Sequence, residues 1–215
     1  MLKSLAAQLP SGVQYQLKRA YFRSRIWWDR FDANEPEYAM LHDWLAPGDV
    51  VIDVGANIGQ YTRRMAECVG DRGSVIAFEP MQQTFRLLTA NVGDLAHVTL
   101  LKLAASNVAR EVSMDLPVFD SGLANYYRAS ISEQGTYRVR AVPLDSLALN
   151  RLSLMKIDAE GHELEVLQGA QGMLTRFRPR LIVEASLPAE SFLRDMGYTI
   201  KRFAGSPNFV AQYSV

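Results

Sequence analysis

The stretch Val50-Val51-Ile52-Asp53-Val54-Gly55-Ala56-Asn57-Ile58-Gly59 decides the fold of this 215-residue chain. Its first half is an apolar run, typical of a strand buried on both faces of a parallel sheet. The two glycines allow the backbone to adopt positive φ and to approach a ligand closely. A helix is predicted from Tyr61 to Val69. The stretch therefore predicts a strand–turn–helix unit with a ligand at the turn, because open α/β sheets bind ligands outside the carboxyl ends of their strands.

Strands and helices alternate along the rest of the chain, and this predicts a doubly wound, Rossmann-like α/β sheet. Further strands are predicted at Ser74 to Phe78, Val98 to Leu103, Leu154 to Ile157 and Arg180 to Glu184. Helices are predicted at Glu37 to Leu45, Met81 to Val92 and Glu163 to Phe177. These patterns assign residues 35–215 to one domain.

Two stretches interrupt the alternation. Short extended segments are predicted at Arg110 to Tyr127 and at Tyr137 to Val142, with a turn at Asp120-Ser121-Gly122. At this point in the chain, an insertion would lie over the carboxyl ends of the strands. Tyr198 to Val215 predicts an antiparallel hairpin, because the turn Gly205-Ser206-Pro207-Asn208 is short.

Residues 1–34 predict a helical extension in which basic residues outnumber acidic ones. Leu17, Ala20 and Tyr21 fall at helical spacing, which predicts one or two short helices. The extension can pack on the domain with one face in solvent, cover the active site as a lid with Trp27 and Trp28, or form a homodimer contact through its aromatic residues.

Composition narrows the choice of partner. The formal net charge is zero, so whole-chain electrostatics give no argument for nucleic acid or an anionic membrane. No apolar run approaches the ~20 residues that a membrane-spanning helix needs. The single cysteine, Cys68, excludes an internal disulfide and suits a reducing compartment. We therefore expect a cytoplasmic protein that acts on a small molecule, without nucleic acid or membrane.

The glycine turn argues against phosphate ligands. A P-loop requires Gly-Lys-Ser/Thr at the start of the helix, where this chain has Gly59-Gln60-Tyr61. A dinucleotide site expects G-x-G-x-x-G, which Gly55-Ala56-Asn57-Ile58-Gly59 does not match. The Asp53 carboxylate would repel a pyrophosphate but would accept a sulfonium ligand that carries an ammonium group. This favours S-adenosylmethionine over NAD.

Glu79 closes the next predicted strand, about 20 residues after the last glycine of the turn. A carboxylate at that position can accept hydrogen bonds from both ribose hydroxyls of a nucleoside. Dinucleotide enzymes use the same arrangement, so Glu79 supports a nucleoside ligand without choosing between the two cofactors.

The segment Asp158-Ala159-Glu160-Gly161-His162-Glu163 follows another buried strand and predicts an acid–base site. His162 is one candidate base, because its ordinary pKa lies near 6.5. Asp158 and Glu160 are the others, and positioning without a dedicated base is a further alternative. Asp158 and Glu184 end neighbouring predicted strands and can ligate a divalent cation, although no third ligand is evident.

These motifs form an ordered series along the chain, made of Val51 to Tyr61, Ala77 to Pro80, Asn91, Ala104 to Ser106, Leu144-Asp145, Lys156 to Glu163, Val166 to Ala170 and Ile182 to Glu184. In this order they resemble the FkbM-type family of class I S-adenosylmethionine-dependent methyltransferases, from about residue 36 to residue 187. The resemblance implies a seven-stranded sheet whose last strand is antiparallel.

The resemblance also implies roles for individual residues. Asp53, Gly55, Asn57 and Gly59 would surround the methionine end of S-adenosylmethionine, Glu79 would bind the ribose, and Ala104 with Ala105 would lie near the adenine. Tyr61, Pro80 and Asp158 are further candidates for the cofactor site. The expected reaction is O-methylation of a sugar or natural product. N- or C-methylation on the same fold, or a non-catalytic cofactor-binding protein, are the alternatives.

Overall fold

The computed structural model describes residues 9–28, 30–117, 129–132 and 134–214. The predicted turn Asp120-Ser121-Gly122 and the end of the segment Arg110 to Tyr127 lie outside these residues. The strands are β1 Val50–Val54, β2 Ser74–Phe78, β3 Val98–Leu101, β4 Ala104–Ala105, β5 Arg110–Asp115, β6 Ser130–Ile131, β7 Tyr137–Val142, β8 Leu154–Ile157, β9 Arg180–Glu184, β10 Tyr198–Arg202 and β11 Asn208–Tyr213. The helices are α1 Ser11–Trp27, α2 Pro36–Trp44, α3 Gln60–Val69, α4 Gln82–Val92, α5 Glu163–Gln168, α6 Gln171–Phe177 and α7 Leu187–Asp195, with a 3-10 turn at Leu144–Ser146.

The main sheet has seven strands in the order β10-β11-β9-β8-β1-β2-β3. Strand β1 lies in its centre and pairs in parallel with β2 and β8, so that Asp53 is opposite Ala77 on one side and Lys156 on the other. Strand β11 is antiparallel to both of its neighbours. The predicted doubly wound fold with an antiparallel last strand is confirmed.

Alternate residues of the central strands face opposite helix layers. Val51, Val75 and Leu154 pack with α2 and α3 on one side of the sheet. Ile52 and Met155 pack with the helices that follow β8 and β9 on the other side. Because both faces are covered, the carboxyl edge of the sheet is left as the place where side chains can meet a ligand.

A second sheet stands beside this edge, with the order β4-β7-β5-β6. It corrects the prediction of one strand from Val98 to Leu103. Strand β3 ends at Leu101, and the side chain of the next residue, Lys102, donates a hydrogen bond to Gln82 Oε1 at 2.8 Å. Ala104 then pairs with Ala141 of β7, so the chain crosses from the main sheet to the second one.

The predicted helix from Glu163 to Phe177 is broken into α5 and α6, which is a second correction. A Cβ on Gly169 would lie 2.0 Å from the carbonyl oxygen of Ser106, so the chain needs a glycine where it passes this backbone. Asp145 starts the new helix by accepting hydrogen bonds from the amides of Gly172 and Met173, both at 2.8 Å. Such carboxylate contacts stabilise a helix N-terminus.

Within the described part of the N-terminal segment, residues Ser11–Trp27 form the helix α1, which packs against α4. Its inner face contributes Tyr15, Phe22 and Ile26 to a small apolar cluster around Phe31, Ile58 and Leu87. Trp27 and Trp28, which the lid alternative placed at the active site, are exposed to solvent. None of the helices in the described ranges has the length and apolar character needed to cross a bilayer.

Candidate functional site

The glycine turn after β1 is clamped between the ends of β2 and β8. The amides of Gly55 and Ala56 donate to the carbonyl oxygen of Phe78 at 3.0 and 2.9 Å. Gly55 has φ of +74°, and a Cβ there would lie 1.9 Å from the carbonyl oxygen of Asp158. Two constraints therefore require glycine at position 55: its left-handed backbone conformation and its close contact with β8.

Gly59, which the resemblance places near the methionine end of the cofactor, lies close against α4. A Cβ on Gly59 would lie 2.9 Å from Leu88 Cδ1 and 3.0 Å from Val92 Cγ1. Its φ of +94° also excludes most side chains. Gly59 thus lets α3 start close against α4.

Glu79 is buried at the end of β2 and holds the glycine turn in place. Its Oε2 accepts the Asn57 amide at 3.0 Å, and its Oε1 accepts the Met81 amide at 2.8 Å. Burial raises the pKa of Glu79 to about 8, although both amide hydrogen bonds oppose the shift. The carboxyl group is therefore fixed in orientation and titrates within the physiological range.

A cleft of about 900 Å³, its open mouth included, lies above Glu79, and we call it the first cleft. Its wall contains the predicted residues Gly55, Asn57, Glu79, Pro80, Ala104, Ala105, Asp158, Glu160 and His162. Met114 and Ile131 of the second sheet add apolar cover from above. Sequence reasoning missed these two residues, because the position of the second sheet depends on tertiary contacts.

A second cleft of about 690 Å³, its mouth included, adjoins the first across Gly55, Asn57 and Asp158. It contains Asp53 and Tyr61, which the structure places away from the Glu79 wall. Its other polar residues are Glu35, Gln60, Lys156, Glu184 and Asn208. The residues predicted to bind the cofactor are therefore divided between two connected clefts.

Lys156, which the sequence analysis placed in a family motif without giving it a role, neutralises the floor of the second cleft. Its Nζ donates to Asp158 Oδ2 at 3.0 Å and lies 4.9 Å from the centre of the Tyr61 ring. Burial alone would lower the pKa of Lys156, but Asp158 and Asp53 raise it above its ordinary value. For Asp53, burial raises the pKa, while Lys156 and the 2.6 Å hydrogen bond from Thr62 oppose the increase.

Several buried polar atoms of the clefts have no hydrogen-bond partner among the described residues. They are Asp53 Oδ1, Asn57 Oδ1, Tyr61 Oη and Glu184 Oε2. Buried polar groups are nearly always paired in folded proteins, and exceptions point to a ligand or ordered water. Asn57 also adopts a left-handed φ of +50°, which is uncommon for a residue with a side chain. These atoms fit a polar ligand that reaches from one cleft into the other.

The acidic loop after β8 is held by its own residues. Glu163 Oε1 accepts the amides of Ala159 and Gly161 at 3.2 and 2.9 Å, so this carboxylate stabilises the loop. His162 Nε2 lies 3.0 Å from Ser106 Oγ, and burial lowers the pKa of the imidazole. His162 belongs to the wall of the first cleft, while Asp158 borders both clefts.

Glu184 lies in the second cleft together with Asp158. Burial, followed by the charges of Asp158, Glu160 and Glu163, raises the pKa of Glu184 to about 7. The part of the chain that the structure describes contains no group of three His, Cys, Asp or Glu residues able to hold a metal ion. Asp158 and Glu184 thus form an acidic pair for which no third ligand is found there.

The order of the main sheet, the glycine turn after β1 and the carboxylate after β2 define the class I methyltransferase fold. The structure of an FkbM methyltransferase from Methylobacillus flagellatus superposes with a TM-score of 0.55 at 17% identity, covering 98% of this chain and 58% of that one. A putative rRNA methylase from Clostridium thermocellum superposes with a TM-score of 0.52 at 13% identity, covering 85% and 98%. At these identities the two structures establish the shared fold.

Sequence comparison extends this result from class to family. The model of the methyltransferase FkbM domain matches residues 53–205. The hexuronic acid methyltransferase AglP of Haloferax volcanii is 32% identical over 133 residues, which is 59% of this chain and 52% of the relative. The AMB antimetabolite synthetase AmbE of Pseudomonas aeruginosa is 32% identical over 165 residues, covering 58% of this chain and 8% of the relative. This chain belongs to the FkbM family of S-adenosylmethionine-dependent methyltransferases.

The matches cover only part of these relatives. The chain spans about half the length of AglP and only 8% of the length of AmbE.

Proposed function

We propose that this chain transfers a methyl group from S-adenosylmethionine to a hydroxyl of a small molecule, with a sugar or natural product as the acceptor. The observation that carries the proposal is that the cleft containing the oriented Glu79 carboxyl group meets a second, acidic cleft at Asp158. The name of the relative AglP, a hexuronic acid methyltransferase, supports a sugar as the acceptor.

The first cleft fits the nucleoside part of the donor. Glu79 can accept hydrogen bonds from ribose hydroxyls through lone pairs that its two amide contacts leave available. Ala104 and Ala105 are small and buried, so a flat adenine ring can lie against them below the second sheet. His162, held by Ser106, would close the same wall.

The connection between the clefts fits the charged part of the donor. Asn57 Oδ1, Asp53 Oδ1 and Tyr61 Oη are buried polar atoms without partners among the described residues, and they suit an amino acid group. When bound, S-adenosylmethionine supplies a methyl group on a positively charged sulfur, which is already activated for transfer. Carboxylates near this position favour a sulfonium and disfavour a phosphate.

The second cleft fits the acceptor. Asp158 borders both clefts and is fixed by Lys156, so it can orient a hydroxyl toward the first cleft. Alignment of two reacting groups can lower a barrier by up to ~7–11 kcal/mol. Glu184, with a pKa of about 7, can accept the hydroxyl proton at neutral pH, and a base of this kind typically adds about 10²- to 10⁴-fold. We therefore assign proton acceptance to Glu184 and positioning to Asp158, with Glu160 and His162 outside the acceptor space.

Titration calorimetry tests the choice of cofactor. We expect S-adenosylhomocysteine to bind, and Glu79→Ala to weaken its binding by about 1–3 kcal/mol, the usual cost of leaving hydrogen-bonding groups unpaired. Glu67→Ala, at an exposed position of α3, is the matched control and should bind normally. Binding of NAD without binding of S-adenosylhomocysteine would overturn the proposal.

Transfer of labelled methyl groups to a panel of sugars tests the reaction. Product analysis separates O-methylation from N- or C-methylation, because only the first gives methyl ethers. If the protein binds S-adenosylhomocysteine but the Asp158→Asn, Glu184→Gln variant supports the host as well as the natural chain does, a non-catalytic cofactor-binding role is the better explanation.

A further inference from the structure

Exposed apolar side chains are concentrated on one helix of this protein. The large apolar residues exposed in and next to α1 are Leu9, Val13, Leu17, Tyr21, Trp27 and Trp28. Trp27 is 83% exposed and Trp28 is 68% exposed. In the rest of the described chain, only Val108, Tyr137 and Leu187 are comparable, and they are far apart in sequence. Single exposed apolar residues are normal, but a contiguous group marks an interaction surface.

Helix geometry places the exposed residues of α1 on one side. At about 100° per residue, Val13, Leu17, Tyr21, Trp27 and Trp28 fall within roughly 120° of the circumference. We call this group the outer face of α1. The 17 residues of the helix extend over about 25 Å at 1.5 Å per residue. The opposite side, with Tyr15, Phe22 and Ile26, is already packed against the domain. The outer face therefore is not needed to complete the core.

Positive charges lie along both edges of the outer face. By the same geometry, Arg19 and Arg23 follow one edge, and Arg25 lies at the other. None of these three guanidinium groups forms an ion pair with a residue that the structure describes. Helix α1 contains no acidic residue. The neutral net charge of the whole chain thus conceals a helix with a strongly positive local charge.

We propose that the outer face of α1 binds the surface of an anionic membrane, with α1 lying in the plane of the interface. An apolar face bordered by cations, with tryptophans near one end, suits insertion among lipid headgroups. The apolar side chains would enter the boundary of the acyl chains, and the three arginines would contact lipid phosphates. This proposal differs from the expectation that no membrane is involved, which was drawn from the net charge and from the lack of an apolar run long enough to span a bilayer.

The same charges disfavour a second copy of the chain as the occupant. In a symmetric dimer the same patch faces itself, so two outer faces would bring arginines of both copies together. Since α1 offers no carboxylate to pair with them, the contact would have uncompensated like charges. An anionic lipid surface satisfies the apolar and the cationic residues together.

Sedimentation with lipid vesicles tests the proposal. The full chain should bind vesicles made of equal parts of phosphatidylcholine and phosphatidylglycerol, should bind phosphatidylcholine vesicles far less, and should lose affinity as salt is added. Arg19→Gln, Arg23→Gln and Arg25→Gln should each weaken binding about fivefold. Leu17→Gln combined with Trp28→Gln should weaken it by roughly tenfold or more.

Matched variants separate this effect from a loss of folding. Leu187→Gln and Arg151→Gln make the same changes at exposed positions outside α1, and they should bind vesicles as the natural chain does. All variants should keep their thermal unfolding midpoint and their binding of S-adenosylhomocysteine. The proposal is overturned if the natural chain ignores phosphatidylglycerol, if both vesicle types bind equally, or if sedimentation detects a dimer that the Leu17→Gln, Trp28→Gln variant dissociates.

Discussion

The backbone amide of Asn57 donates a hydrogen bond to Glu79 Oε2 at 3.0 Å, across 22 positions of sequence. This bond joins the turn after β1 to the residue that ends β2. The left-handed backbone of Asn57 and the raised pKa of Glu79 therefore belong to one local arrangement. Protonation of Glu79 weakens the acceptor of this bond, so the shape of the turn and the pH are coupled.

Cofactor affinity should depend on pH through Glu79. With a pKa of about 8, the free protein carries Glu79 largely protonated at neutral pH. A cationic donor whose ribose hydroxyls need an acceptor favours the ionised form, so the affinity for S-adenosylmethionine should rise with pH up to about 8 and then level off. Calorimetry in a series of buffers measures this, and Glu79→Gln should give weaker binding with a flat profile over the same range. An equal slope in both proteins would assign the titration to another group.

Stability should change with pH in the opposite direction. Burial raises the pKa of Glu79 from 4.5 to about 8, so the folded state holds a proton that the unfolded state has released. The stabilisation of the folded state by this proton is complete below about pH 4.5 and is lost as the pH rises through about 8. The natural chain should therefore lose more unfolding free energy than Glu79→Gln between about pH 5 and about pH 9, as measured by urea denaturation. If the unfolding free energies of the two proteins change equally with pH, this prediction is wrong.

Gly55→Ala should be more destabilising than its backbone angle alone explains. A left-handed φ costs a non-glycine residue about 1–2 kcal/mol. Gly205 is the matched control for that cost, because its φ is +84° and a Cβ added there would have no atom within 4 Å. Gly55→Ala adds a collision with the Asp158 carbonyl oxygen, so its unfolding free energy should fall by more than that of Gly205→Ala. Equal losses would show that the strand ends can separate freely.

Lys156→Ala should remove about 1–3 kcal/mol of stability, because it leaves the buried Asp53 and the partly exposed Asp158 without a neighbouring cation. Arg194→Ala is the surface control, since its ion pair with Glu190 at 3.8 Å involves a largely exposed arginine and should contribute less than about 1 kcal/mol. Denaturant unfolding of both variants gives the comparison. A loss no larger than that of Arg194→Ala would mean that the two carboxyl groups become protonated at little cost.

The sequence allowed the main sheet to be predicted because its signals are local. Continuous apolar runs identify β1, β2, β8 and β9, and the short turn before Asn208 identifies the terminal hairpin. The structure differs from the predicted helix Glu163 to Phe177 and from the predicted strand Val98 to Leu103, and both differences depend on residues that are distant in sequence. The break between α5 and α6 depends on Asp145 and on the backbone of Ser106, and the end of β3 depends on pairing between Ala104 and Ala141.

The candidate site was predictable in its residues and less so in its arrangement. The glycine turn, Glu79 and Asp158 could be assigned because each follows a buried strand. The division into two clefts could not, because residues of one strand point to different sides: Val54 borders the first cleft and Asp53 the second. Lys156 stands in one of the family motifs, but its role could not be assigned from the sequence, because its two carboxylate partners are brought to it by the fold.

The close contact between Gly55 and the Asp158 carbonyl oxygen has a consequence for how such a protein can diversify. Gly55 and Asp158 both border the two clefts, and their close approach is made by backbone atoms, which are the same whatever the side chains. Substitutions at Glu35, Gln60 or Asn208, on the far side of that boundary, can reshape the proposed acceptor space while the nucleoside space keeps its form. One scaffold can in this way acquire new acceptors during evolution, or in the laboratory, without having to rebuild its hold on the methyl donor.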